Sequence, residues 1–247
     1  MIDTAILLAA GEGSRLRSAA PYKPLCRVGD RALIDHALHG FAAAGLRRVV
    51  VVLGYGGDAI EAHLAASDQP VAVTTVRVAD HREPNGVSVL AAASQVDGGD
   101  ALLAMCDHLV DPELYRRVAE AGSGGGARLA IDRRIGSDWV DLDDVTCVRT
   151  EGEHIVAIGK GLDAYNCFDT GVFAIGRPLF DALASLHAPS LTEGMRVLAA
   201  RDLARTLDCS DVDWIDVDDP PALAKAEAWI RGETGATSGS ALREVCR

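Results

Sequence analysis

Short apolar runs alternate with amphipathic stretches along the first hundred residues. Thr4 to Ala9 (TAILLA), Arg48 to Leu53 (RVVVVL), Val71 to Val78 and Ala101 to Cys106 lack regular alternation, the pattern of strands buried on both faces. Between them, Leu33, Ile34, Ala37, Leu38 and Phe41 recur at helical spacing within 31–45, with Gly45 placed to close the C-terminus. Residues 57–66 and 86–96 carry a weaker version of the same pattern. The order β-α-β-α-β-α-β predicts right-handed crossovers and an α/β fold with a mainly parallel sheet flanked by helices. Past residue 108 the rhythm loosens. The run GSGGG at 122–126 breaks the chain, and shorter strand-like pieces follow near 127–132, 145–149, 154–158 and 171–175. They predict a small antiparallel insertion over about 125–175 within a mixed sheet. Helical patterns return at 178–186 and 191–204. A final helix begins with Asp219 as N-cap and Pro220 at its first position, and Leu223, Ala226 and Ile230 share one face. Residues 1–231 read as a single domain, and 232–247, rich in Gly, Ser and Thr, as a flexible tail.

Composition narrows the function classes. Of 247 residues, 49% are apolar and 24% charged, enough for a sizeable core, and with only 4% aromatics that core is built from Ala, Val, Leu and Ile. Acidic residues outnumber basic ones 36 to 24, and the net charge of -12 argues against nucleic-acid or anionic-membrane partners. A polyanionic small ligand then requires the few cations to be concentrated. Only three of the cations are lysines: Lys23, Lys160 and Lys225. The six cysteines form no C-x-x-C and have no histidines at zinc spacing. With no signal-peptide pattern and no membrane-length apolar run, free thiols in a cytoplasmic protein are expected.

Ligands of open α/β sheets bind at the carboxyl ends of the strands. The first such end is Leu8-Ala9-Ala10-Gly11-Glu12-Gly13-Ser14-Arg15-Leu16, followed by Lys23-Pro24-Leu25. Gly11 and Gly13 let backbone N–H groups approach a phosphate, Arg15 adds a planar fork of donors and Lys23 a point charge. A Walker A loop is absent. A dinucleotide fingerprint fails because Leu16 stands three residues past Gly13 and the second strand closes on Leu53-Gly54-Tyr55, with no acidic residue. This disfavours a dinucleotide-dependent oxidoreductase. Asp107, at the end of the fourth apolar run, and Asp216 and Asp218, alternating on one face of a late strand, are candidate oxygen ligands for magnesium. Asp219 is read as a helix cap. The seven histidines offer no catalytic arrangement: His108 follows Asp107 and either touches the site or, the more expected reading, is satisfied or solvent-facing, and His36 and His39 lack a third ligand. Ser14 has no partnered base and is a phosphate donor rather than a nucleophile.

L-A-A-G-x-G-S-R-L followed by K-P-L resembles the signature of the sugar-nucleotide type nucleotidyltransferases. Further matches fall in order to about residue 230: Pro84-Asn85-Gly86-Val87-Ser88-Val89, Met105-Cys106-Asp107-His108, Ile131-Asp132-Arg133, Val140-Asp141, Ile158-Gly159-Lys160, Asp169-Thr170-Gly171 and Trp214-Ile215-Asp216-Val217-Asp218. Together they are most similar to CTP:inositol-1-phosphate cytidylyltransferases, with phosphocholine and phosphonate cytidylyltransferases as near relatives. Cys106 departs from the family's usual Gly, and Asp219-Pro220 from its usual Thr-Pro. The transmembrane alcohol phosphotransferase carried by some members has no counterpart in these residues. The resemblance implies a Rossmann-like, GT-A-like fold and transfer of CMP from CTP, or another NTP, to a small phosphate- or phosphonate-bearing acceptor. It implies that Leu8, Ala9, Ala10, Gly11, Gly13, Ser14, Arg15 and Lys23 hold the triphosphate, and that Asn85, Gly86 and Ser88 line the base pocket. Mg2+ would sit on Asp107 with Asp216 or Asp218, and Lys160 would meet the acceptor phosphate. Arg133 and Asp169 would stand on the acceptor side, while Asp132 and Asp141 organise loops. Arg15, Lys23 and Lys160 are the implied catalytic cations. A sugar-1-phosphate acceptor, a non-catalytic nucleotide sensor and a homodimer stay open at this point.

Overall fold

The structure, a computed structural model, describes residues 1–96 and 98–233. In chain order its elements are β1 (Thr4–Ala9), β2 (Arg27–Val28), β3 (Arg31–Ala32), α1 (Leu33–Ala43), β4 (Arg48–Leu53), α2 (Gly57–Ala65), β5 (Ala72–Arg77), α3 (Asn85–Ala91), β6 (Ala101–Met105) and β7 (His108–Val110). They continue with α4 (Pro112–Ala121), β8 (Ala127–Asp132), β9 (Cys147–Glu151), β10 (His154–Gly159), β11 (Cys167–Ile175), α5 (Arg177–Ala184), α6 (Leu191–Ala199), β12 (Ala204–Asp208), β13 (Trp214–Asp216) and α7 (Pro220–Ile230).

Nine strands form one sheet in the order β5-β4-β1-β6-β11-β8-β12-β10-β9. The four apolar runs are its parallel half, with β1 between β4 and β6. The antiparallel strands expected over 125–175 extend this same sheet. β11 runs antiparallel to β6 and β8, β8 is parallel to β12, and β9–β10 form an antiparallel pair at the far edge. Alternation along β1 divides the core. Ala5, Leu7 and Ala9 pack with α1, α2 and α4 on one face, whereas Ile6 and Leu8 pack with α3, α5 and α6 on the other. A third cluster joins Leu16, Leu109, Ile215, Val217 and Trp229, seating the chain after β1, the β7–β13 pair and α7 against one another.

Two of the elements that differ from expectation are β12 and α4. The helical pattern over 191–204 ends at Ala199, and Ala204–Asp208 is instead β12, paired in register with β8. A five-residue run is too short for its period to distinguish strand from helix, so sheet pairing decided it. The helix α4 lies where the pattern had loosened. Its start is nevertheless written locally: the Asp111 carboxylate accepts from the Glu113 N–H at 3.0 Å, and Pro112 occupies the first turn. Cys26, Cys106, Cys147, Cys167 and Cys209 are free and buried, and Cys246 lies outside the described residues. Among the described residues no helix is long and apolar enough to cross a membrane. The tail expected at 232–247 falls, past Glu233, outside the described residues.

Candidate active site

The chain leaves β1 toward β4 and later returns to β6 on the other side of β1, so a crevice opens where the connections diverge. Gly13 turns there with a φ of 57°, and a Cβ on it would stand 2.4 Å from the Lys23 Cβ. Its glycine is therefore required by a close approach: the lysine stem lies across the turn. Leu16, fully buried, pins the 3-10 turn Ser14–Leu16, and a second such turn starts at Lys23. The Lys23 side chain is 7% exposed, leaving its ammonium aimed into the crevice floor.

That ammonium meets three carboxylates. Nζ lies 2.7 Å from Asp107 Oδ2 and 3.8 Å from Asp216 Oδ1, and it pairs with Asp218. Asp107 follows β6 directly, held by the Cys106 N–H donating to the Leu8 carbonyl at 3.1 Å. Asp216 comes from β13, whose pairing with β7 sets it opposite His108. Asp218 lies beyond the strand end; the Val217 N–H bonds the Asp107 carbonyl at 2.9 Å and draws the segment in. Arg15 pairs with Asp218 and Asp144, and Lys160 pairs with the other oxygen of Asp144. The result is one chain of alternating charges: Lys160, Asp144, Arg15, Asp218, Lys23, Asp107.

Burial opposes charge on Asp107, but Lys23 and His108 outweigh it and hold the carboxyl down at about 2. His108 has the reverse balance: burial lowers its pKa, and Asp216 and Asp107 push it up to about 9. Its Nδ1 bonds the Thr170 carbonyl at 2.8 Å, and its ring stacks on Trp214. Gly171, at φ 77°, makes room for that ring, since a Cβ there would stand 2.3 Å from Nδ1. Burial raises Asp169 to about 6, against the Gly171 N–H that it accepts at 2.7 Å.

A prediction follows from Asp169. An unfolded aspartate ionises near 3.8 and the folded one near 6, so native stability falls as pH rises through that window. Asp169→Asn, whose amide oxygen can still accept from Gly171, is expected to be the more stable protein at pH 7.5. The gain is of order 2–3 kcal/mol in urea unfolding, shrinking toward zero at pH 4. A gain of equal size at both pH values would contradict this origin.

Two cavities meet at the network. The smaller, about 270 Å³, is walled by Leu8, Ala9, Gly11, Gly13, Ser14, Arg15 and Lys23, with Asp107 and Asp218 at its inner side. The larger, about 580 Å³, shares Asp107 and Asp218 and continues past Asn85, Asp144, Lys160, Asp169 and Asp216. Ala10 is buried behind the first wall, its carbonyl taken by the Tyr55 N–H at 3.0 Å. Three further expected positions lie outside both walls. Gly86 is tight against the Pro189 carbonyl, 2.4 Å from where a Cβ would stand, so its glycine serves packing rather than a bare surface for a base. Ser88 is buried on the same helix. Arg133 is taken by Asp208 at 2.9 Å and Thr150 at 3.2 Å. Arg133→Ala is accordingly expected to leave turnover within about threefold of wild type in steady-state assays. The Asn85 Oδ1 accepts the Leu191 N–H at 2.8 Å, tying α3 to α6 at the cavity edge.

Further residues complete the walls. His108, Trp139, Asp144, Trp214 and Lys225 all line the larger cavity, so all three lysines stand in the walls of the cleft. The scarcity of lysine was the available signal for Lys225; Asp144 had none, lying among several aspartates of one loop. Asp219 caps α7 through the Ala222 N–H at 2.8 Å, and Asp132 takes the Arg134 and Trp214 donors, the organising roles expected of both. His36 and His39 bond the backbone carbonyls of Val28 and Asp35.

The carboxylates fit a divalent cation. Ligand atoms of Asp107, His108 and Asp216 lie within 4.8 Å of one another, as do those of Asp144, Asp216 and Asp218. Asp216 Oδ1 is buried with no hydrogen-bond partner, an oxygen that a metal would satisfy.

A family model described as the MobA-like NTP transferase domain matches residues 5–206. The chain belongs to this family. Within it, the chain is 34% identical over 239 residues to the "Bifunctional IPC transferase and DIPP synthase" of Rubrobacter xylanophilus, a match covering 92% of this chain and 52% of that protein. The chain therefore spans about half the length of that relative. Its fold matches the structure titled inositol-1-phosphate CTP transferase from T. maritima, with a TM-score of 0.84, 24% identity, and coverage of 96% and 98% of the two chains. A UDP-glucose pyrophosphorylase complexed with UDP-glucose also matches, with a TM-score of 0.77 and 16% identity over 95% of this chain and 100% of that one. The expected nucleotidyltransferase fold is thus the one observed, and an NTP-transferring enzyme is the family's character.

Proposed function

We propose that residues 1–231 act as one catalytic domain that transfers CMP from CTP to a small phosphorylated alcohol such as inositol 1-phosphate, releasing pyrophosphate with Mg2+ as cofactor. The observation that carries this reading is the convergence of Arg15, Lys23 and Lys160 with Asp107, Asp216 and Asp218 at the junction of two cavities. The structural match named inositol-1-phosphate CTP transferase, beside the 34% identical relative, supports the inositol-phosphate reading.

A phosphate monoester has its second pKa near 6 and is itself an adequate nucleophile, so no general base is needed. The work left for the protein is alignment and relief of repulsion between anions. The Gly11–Ser14 backbone and Arg15 hold the triphosphate in the smaller cavity, and Lys160 meets the acceptor phosphate across the larger one. Lys23 stands between them beside Asp107. Asp107 with Asp216 or Asp218 would hold a divalent cation, which would supply charge neutralisation to the phosphates. At an effective dielectric of 20, a unit-charge pair about 4 Å apart is worth roughly 4 kcal/mol, so each well-placed cation weighs on the rate.

The test is pyrophosphate release with Mg2+ across the four NTPs and a panel of inositol 1-phosphate, phosphocholine, a 2-aminoethylphosphonate and glucose 1-phosphate. CTP with inositol 1-phosphate is expected to give the highest kcat/KM. Preference for another acceptor moves the assignment within the family, and tight CTP binding with no turnover for any pair leaves a nucleotide sensor. Lys160→Ala is expected to raise the acceptor KM and lower kcat; a loss confined to CTP binding would move Lys160 to the donor side.

A further inference from the structure

We infer that Asp144 couples the two halves of the cleft by standing in for substrate phosphate on both sides at once. This rests on the proposed reading of Arg15 as a donor-side cation and Lys160 as an acceptor-side cation. Asp144 belongs to the segment 133–146 between β8 and β9, which passes along the larger cavity. Its two oxygens serve different walls: Oδ2 takes Arg15, on the loop after β1, and Oδ1 takes Lys160, at the end of β10. The segment is seated elsewhere by its own contacts. The Asp144 and Val145 N–H groups bond the Asp141 carbonyl at 3.2 and 2.9 Å, Trp139 meets Trp229 edge-on, and Lys225 donates to the Asp138 carbonyl.

A carboxylate shared between two cations makes their fates common. Arg15 and Lys160 are 50% and 60% exposed, so each pair alone is weak and an arriving phosphate, with more charge and more acceptor oxygens, displaces it. Once a triphosphate takes Arg15, Asp144 has lost one of its two anchors, and the acceptor phosphate meets a Lys160 that is more easily freed. Binding in the opposite order has the same consequence, because coupling between two ligands is reciprocal. Half-exposed pairs of this kind limit the effect to about fivefold per ligand.

The test measures binding by calorimetry with a CTP analogue bearing a methylene between the α and β phosphorus atoms, alone and with inositol 1-phosphate. Wild type is expected to bind each ligand about fivefold more tightly in the presence of the other. Asp144→Asn is expected to bind each ligand alone about that much more tightly and to lose the mutual enhancement. Asp143→Asn removes the same charge from the neighbouring exposed position and is expected to behave as wild type. Weaker binding of either ligand by Asp144→Asn, or enhancement that survives in it, overturns the coupling and leaves the proposed function standing. Binding by Asp144→Asn where wild type binds too weakly to measure supports it in its strong form. Failure of both proteins to bind either ligand overturns the coupling and the functional reading together.

Discussion

Asp107→Asn is expected to lower kcat/KM at least about a thousandfold, some 4 kcal/mol of transition-state stabilisation, with the fold intact. Asparagine preserves the shape of the side chain after β6 but removes the charge that faces Lys23 at 2.7 Å. On the proposed reading it also removes one of the carboxylates that would hold the metal, where a change of charge would act on both phosphates at once. Residual activity above a tenth of wild type would sink the metal assignment. A second readout is independent of turnover. Folded Asp107 ionises near 2 and an unfolded aspartate near 3.8, so the stability supplied by Lys23 and His108 is complete above pH 4 and is lost as pH falls toward 2. Acid unfolding of Asp107→Asn should therefore lose less stability between pH 4 and 2 than wild type. Parallel curves would mean that the Lys23–Asp107 contact contributes nothing to the native state.

Lys23→Met is expected to cost about a hundredfold or more in kcat and to destabilise the protein by about 3 kcal/mol. The stem still fits across Gly13, but Asp107, Asp216 and Asp218 then face one another without the ammonium that lies among them. Uncompensated charge, rather than lost packing, is the cause, and the remedy identifies it. Added Mn2+ should raise the Tm of Lys23→Met by more than that of wild type, because a divalent cation on the same carboxylates replaces the missing charge. Equal shifts in the two proteins would place the destabilisation in packing.

The two substitutions separate what could be read along the chain from what could not. Arg15, Lys23 and the glycines were legible because the whole loop is contiguous: strand end, glycine turn and cations fall within residues 8–25. Asp107 was legible as the residue that follows a buried strand. His108 is satisfied, one of the readings expected of it, but its environment is built from elsewhere, by Asp216 across the β7–β13 pair, by Trp214 beneath its ring and by the space that Gly171 leaves. Gly86 owes its surroundings to remote residues in the same way. The pattern over 86–96 announced the helix α3, but only the packing of Pro189 and Leu183 shows why its second position is a glycine.

By itself the sequence determined the parallel half of the sheet, the glycine turn with its cations after β1 and the chemical types available to the cleft. Each depends on neighbours within one strand, one turn or one helix, where hydrophobic period and backbone freedom act locally. Tertiary structure decided the charge network. Arg15 lies 129 residues from Asp144 and 203 from Asp218, and Lys23 lies 84 from Asp107. Nothing local distinguishes Asp144 from the other acidic side chains of its loop, and nothing local joins Asp107 or Asp218 to its cation. They become a site because sheet order places β1 beside β6, β13 pairs with β7 and the segment before β9 crosses the cavity, bringing charges remote in sequence to within a few ångströms, where Coulomb attraction is strong.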